Sequence, residues 1–213
     1  MTKLPWLFAF LFTIGTMQPI KAQSLKDVFN SSETPVFYIG VDFTLARVID
    51  APENASDIRD RHYPGINYLV VNEPKKYDLA GAFHKSSIDH DLSLVDKRNA
   101  KINTEEIKTN NSADYSRLKE DDINKLVKGF DFSGKKGVGV LFIVEGMSKA
   151  KKGAAIWVTF IDMGAKKVLM TERMEGKTGM AFGFRNFWAN PIRDVLDDIE
   201  KKKYNEWKSK YGS

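Results

Sequence analysis

Along the chain, runs of apolar residues with period two alternate with runs whose apolar positions recur every three or four residues. The run "PVFYIGVDFTLARVI" (35–49) alternates through Phe37, Ile39, Val41 and Phe43 and predicts a first strand. Ile66, Leu69, Val70 and Tyr77 suit one or two short helices up to about His84, each started or broken by Pro64 and Pro74. "LSLVDKR" (92–98) predicts a short, half-polar second strand, and "NTEEIK" (103–108) carries a capping-box type of start at Asn103. In 115–130, Leu118, Ile123, Leu126 and Val127 lie near helical spacing and Gly129 ends the run.

Three strand-like runs follow, "VGVLFIVEGM" (138–147), "AAIWVTFIDM" (154–163) and "KKVLMTERME" (166–175). The gap between the last two is so short that the pair must turn back antiparallel. The first two runs are apolar on both faces, which predicts a sheet covered on both sides. Asn190 before Pro191 predicts the start of a closing helix whose stripe is Ile192, Val195, Leu196 and Ile199. The expected fold class is α+β. It has a mixed sheet of about five strands with a C-terminal three-strand antiparallel meander, helices packed on the sheet and a closing amphipathic C-terminal helix.

The first 22 residues stand apart. Lys3, the apolar run 4–17 and Ala22 before a cut form the three-part pattern of a secretory signal, too short to span a bilayer. The expectation is therefore a signal peptide over 1–22 and a single α+β domain over 23–213. The localisation expected is periplasmic, or else extracellular, with no stable membrane span after cleavage. The chain of 213 residues holds no cysteine, so disulfides, thiolate metal sites and a lipid-bearing cysteine are excluded. Its net charge of +5 comes from lysine pairs interspersed with acids. That pattern reads as a solvated surface, and no nucleic-acid partner is expected.

"SLVDKRN" and "IWVTFIDMGAKKVLMTERMEG", with Asp162 and Gly164 at a hairpin turn, give a sequence that resembles a periplasmic domain family. That family includes the amino-terminal domain of TolB and the curli secretion channel. "GFRNFWA" is similar to exported proteins of Bacteroides-type bacteria. The resemblance implies an envelope binding or assembly domain and carries over no catalytic residue. The lipid-attachment cysteine, a propeller and a membrane-hairpin segment are all missing, so it does not imply a pore.

Candidate chemistry is sparse. "MEGKT" (174–178) ends like a phosphate loop, but Thr171 stands where that loop needs glycine. His84, Asp89, His90 and Asp91 could ligate a divalent metal, yet no zinc-type spacing appears and a polar loop explains them as well. Ser86, His62 and Asp42 could be drawn as a triad, though no motif selects them. Asp42, Glu145, Asp162 and Glu172 sit in or beside strands, where acids are usually solvated. No catalytic residue, cofactor or metal is assigned.

The segment "GKTGMAFGFRNFWANP" (176–191) remains. Its glycines permit unusual backbone, and Phe182, Phe184, Arg185, Asn186, Phe187 and Trp188 are the candidate binding residues. Either they recognise an envelope protein or glycan, or the aromatics plug the sheet's end while Arg185 pairs with Asp42 or Asp162. An alternative function is a small-ligand or glycan binder, hydrolytic or not, with a cleft at the strand ends near Asp42 and Arg185.

Overall fold

The computed structural model describes residues 24–213; the signal expectation for 1–22 lies outside the described residues. The chain mixes helix and strand. The helices are α1 (Leu25–Asn30), α2 (Ala55–Asp57), α3 (Tyr63–Asn72), α4 (Leu79–Ala82), α5 (Ser93–Asn99), α6 (Glu120–Lys128), α7 (Phe184–Asp198) and α8 (Tyr204–Tyr211). Single π turns join α2 to α3 (Ile58–His62) and α7 to α8 (Ile199–Lys203). The strands are β1 (Val36–Asp42), β2 (Arg47–Ile49), β3 (Asp89–His90), β4 (Lys108–Thr109), β5 (Val138–Ser148), β6 (Gly153–Asp162) and β7 (Lys167–Lys177).

The seven strands form one sheet. β1 runs parallel to β3 and to the first half of β5, and β2 runs parallel to β4 and to the last three residues of β5. On its other edge β5 pairs antiparallel with β6, and β6 pairs antiparallel with β7. Alternate residues of β5 enter different packing clusters. Val138, Val140, Phe142 and Val144 join the large one with α1, α3, α4, α7 and α8, whereas Leu141 and Ile143 join a smaller one with α5 and α6. Side chains of period two point to opposite faces, so the sheet is covered on both sides, with helices above and below.

The expected single strand over 35–49 is two strands. The ladder breaks after Asp42, and two buried asparagines take over its hydrogen bonds. Asn67 of α3 accepts from Val41 N–H (2.7 Å) and donates to its carbonyl (3.0 Å). Asn99 of α5 accepts from Phe43 N–H (2.9 Å) and donates to the same carbonyl (3.0 Å). Buried backbone groups must be paired, and these side chains let the chain leave the sheet between β1 and β2.

A second correction concerns 92–98, which is helix α5 rather than a strand. Its buried residues Leu94, Val95 and Asn99 lie on one helical face, a pattern too short to show as periodicity in the sequence. A third concerns the closing helix, which begins at Phe184 and runs through Asn190 and Pro191 rather than starting there. Phe184, Trp188, Ile192, Val195 and Ile199 make one continuous buried stripe, and that stripe outweighs the hydrogen bond that proline forfeits.

Strand β7 meets α7 where Gly176 faces Pro191. A Cβ at Gly176 would lie 2.0 Å from the Pro191 carbonyl oxygen, a contact with backbone that no side-chain rotation relieves. Gly176→Ala should therefore lower unfolding free energy by about 2–3 kcal/mol, read from the urea midpoint. A change within about 0.5 kcal/mol would show that the contact yields freely.

Candidate functional site

The segment between β7 and α7 is held at both ends and exposed in the middle. Thr178 N–H donates to the Lys152 carbonyl (3.0 Å), and the Thr178 carbonyl accepts from Asn190 Nδ2 (2.6 Å). Lys177 N–H donates to Asp194 Oδ2 (2.9 Å). Gly179 and Gly183, at φ 60° and 77°, bracket residues 180–182 in a conformation that side chains disfavour. Between them Met180 and Phe182 are as exposed as extended residues, at 101% and 96%.

The six predicted site residues divide. Phe184 and Trp188 point into the core, Trp188 at 2% exposure, and Phe187 packs edge-on against Trp188 at 5.0 Å. Asn186 donates to the Phe182 carbonyl (3.4 Å). Arg185 is exposed, its stem so close to α3 that a Cβ at Gly65 would lie 2.7 Å from Arg185 Cδ. Neither expected acid is its partner, because Asp42 pairs with Arg98 and Asp162 accepts from Ala165 N–H. Tyr68, also exposed, lies one turn beyond Gly65 on the same face of α3.

Beside the segment lies a pocket of about 370 Å³ walled by Glu53, Lys149, Ala181, Phe184, Phe187 and Trp188. Glu53 and Lys149 form an ion pair at 3.1 Å. Glu53 Oε2 and Trp188 Nε1 are buried without a hydrogen-bond partner among the described residues. A buried polar atom left unpaired costs about 1–3 kcal/mol. His62 stacks on Phe184 at 4.5 Å and lies 3.3 Å from Asp57.

A second concavity, of about 510 Å³, opens at the carboxyl end of β1. Asp42, fully buried, accepts from Thr44 N–H (2.8 Å), from Thr44 Oγ1 (2.5 Å) and from Arg98 Nε (2.7 Å). Glu145 is equally buried, accepting from Arg173 Nε (2.8 Å) and Trp157 Nε1 (3.2 Å). The expectation that these strand acids are solvated is thus corrected for both: each carboxylate sits inside and is held by an arginine. Arg98 and Arg173 were missed in the sequence. Arg98 stands within "SLVDKRN", directly after Lys97 and three residues before Lys101, and a helical reading of that stretch brings Lys97 and Lys101, four apart, to one side.

Other candidates are not brought together. His62 contacts Asp57, Ser86 donates to Glu33, and Asp42 is occupied as described. His84 stacks on Tyr204, Asp89 and His90 form β3, and Asp91 pairs with Lys135 at 3.4 Å. Among the described residues no group of three or more His, Asp or Glu side chains could hold a metal ion. Nor, among those residues, is any helix long and apolar enough to cross a membrane. No family model, curated protein or solved structure matches the chain.

Burial, aided by Arg61, pushes the pKa of His62 below its ordinary 6.5, against the opposing pull of Asp57 and Glu53. The native state thus favours the neutral ring on Phe184. This contribution is complete above about pH 6.5 and is lost as pH falls through the lower native value. Between about pH 7 and 5, unfolding free energy should fall more steeply for the wild type than for His62→Gln. Parallel pH profiles would contradict that assignment.

Proposed function

We propose that this chain is an exported, non-enzymatic binding domain of the cell envelope that recognises a protein partner through the β7–α7 segment. On this reading β5, β6 and β7 act as the C-terminal antiparallel meander suggested by the sequence, and its last strand delivers the segment to the surface. The observation that carries the reading is the full exposure of Met180 and Phe182 between two pinned anchors. Arg185 and Tyr68 lie alongside, and an aromatic-walled pocket opens beneath. Exposed aromatics with an arginine are the residue types that dominate binding energy at protein interfaces. Large apolar side chains kept in water without a packing role point the same way. The buried acids, each tied to an arginine, support a structural use of the carboxylates over a hydrolytic one.

A photo-crosslinking residue at position 182, introduced in cells of the source organism, tests this. A discrete adduct should form there and be absent from position 128 on α6, which covers the opposite face of the sheet. Arg185→Ala should lower its yield about tenfold, the effect of losing an anchor worth about 1.4 kcal/mol. The same diffuse adducts from both positions would sink the reading.

A further inference from the structure

The cleft at the carboxyl end of β1 is lined on one side by three cations, Lys97, Arg98 and Lys101. Of its two acids, Glu106 pairs with Arg47 at 3.0 Å, and Asp131, exposed, accepts from Ser133 N–H at 2.9 Å, so three cations face one acid that has no cationic partner among the described residues. Lys97 and Lys101 are exposed and make no ion pair among the described residues.

Arg98 differs from a surface arginine in how firmly it is held. Nε is fixed by the buried carboxylate of Asp42, Nη2 approaches Thr44 Oγ1 at 3.4 Å, and the guanidinium lies over the Phe130 ring at 4.7 Å. One edge of the planar fork is thereby occupied, and the edge bearing Nη1 is left for something else. A guanidinium immobilised in advance loses little side-chain entropy on binding, and its geometry matches a carboxylate or phosphate with two parallel hydrogen bonds. The place also fits, since ligands of open sheets with parallel strands collect outside the carboxyl ends of those strands.

We propose that this cleft binds a small polar molecule through an oxyanion group, a phosphate or a carboxylate. The free edge of Arg98 fixes the orientation of the group, and Lys97 and Lys101 supply the remaining charge. The site shares no residue with the β7–α7 segment, so it stands or falls independently of the proposed protein partner.

The test is calorimetric titration of the purified protein at low salt with three probes: inorganic phosphate, glucose 6-phosphate and glucuronate. Saturable binding with a dissociation constant of about 1 mM or tighter is expected for at least one. Preference for the phosphates or for glucuronate tells which oxyanion the cleft takes. Lys97→Ala with Lys101→Ala, both exposed and so harmless to the core, should weaken that binding at least about tenfold. The double variant Lys201→Ala, Lys202→Ala, equal in charge but on the turn before α8, should leave it unchanged. Absence of saturation with all three probes, or equal weakening by the two double variants, would overturn the proposal.

Discussion

Strand β5 has neither a free edge nor a free face, and the rest of the molecule is arranged around that condition. Every one of its residues is buried. One edge is taken by β1 and β2 in series, the other by β6 along nearly its whole length. A strand so enclosed can carry a charge only if that charge is matched, and β5 carries Glu145. The carboxylate is answered by Trp157 of β6, by Arg173 of β7 and by the Leu118 backbone, so one buried group ties three strands to the loop before α6. Arg173 also donates to the Tyr115 carbonyl at 2.9 Å, which extends the tie to the short turn that crosses the end of β5. Removal of Arg173 would leave the Glu145 carboxylate without its countercharge in the interior, whereas Arg173, itself partly exposed, keeps Glu175 as a second partner.

From that centre the two candidate surfaces follow by different routes. Splitting one β5 edge between β1 and β2 forces the chain out of the sheet at Asp42, and the excursion creates the cleft. Asn67 and Asn99 supply the missing ladder bonds there, while Arg98 neutralises the carboxylate that the turn buries. On the far edge, β7 ends against α7, with Gly176 close enough to Pro191 that strand and helix pack backbone to backbone. The chain must still reach the start of α7, so residues 179–183 loop outward. Phe184 and Trp188 turn inward and wall the pocket beneath, while Met180 and Phe182 face solvent.

How much of this was legible in the sequence depends on the length of the signal. The long apolar runs of β5 and β6 announced a sheet covered on both faces, because ten or more residues of one character leave little ambiguity. The stretch 92–98 misled because two leucines in alternation outweighed a helical face of only three buried residues. Asn190-Pro191 misled differently: it is a sound local start signal, overridden by the aromatic stripe that begins at Phe184. That stripe was present in the sequence at spacings of four and three. What no local pattern could show was which arginine answers which acid. Arg98 and Asp42 are separated by 56 positions and Arg173 and Glu145 by 28, and only the sheet topology brings them together.

The central claim is that the β7–α7 segment turns two apolar side chains outward while its neighbours close the core. Methionine oxidation by dilute peroxide, followed by peptide mass spectrometry, measures this with internal controls of identical chemistry. Met180 should oxidise at the rate of the unfolded chain, whereas Met163, Met170 and Met174, all buried, should be protected by an order of magnitude or more. Equal protection of Met180 would place the segment inside the core and remove the surface on which the functional reading rests.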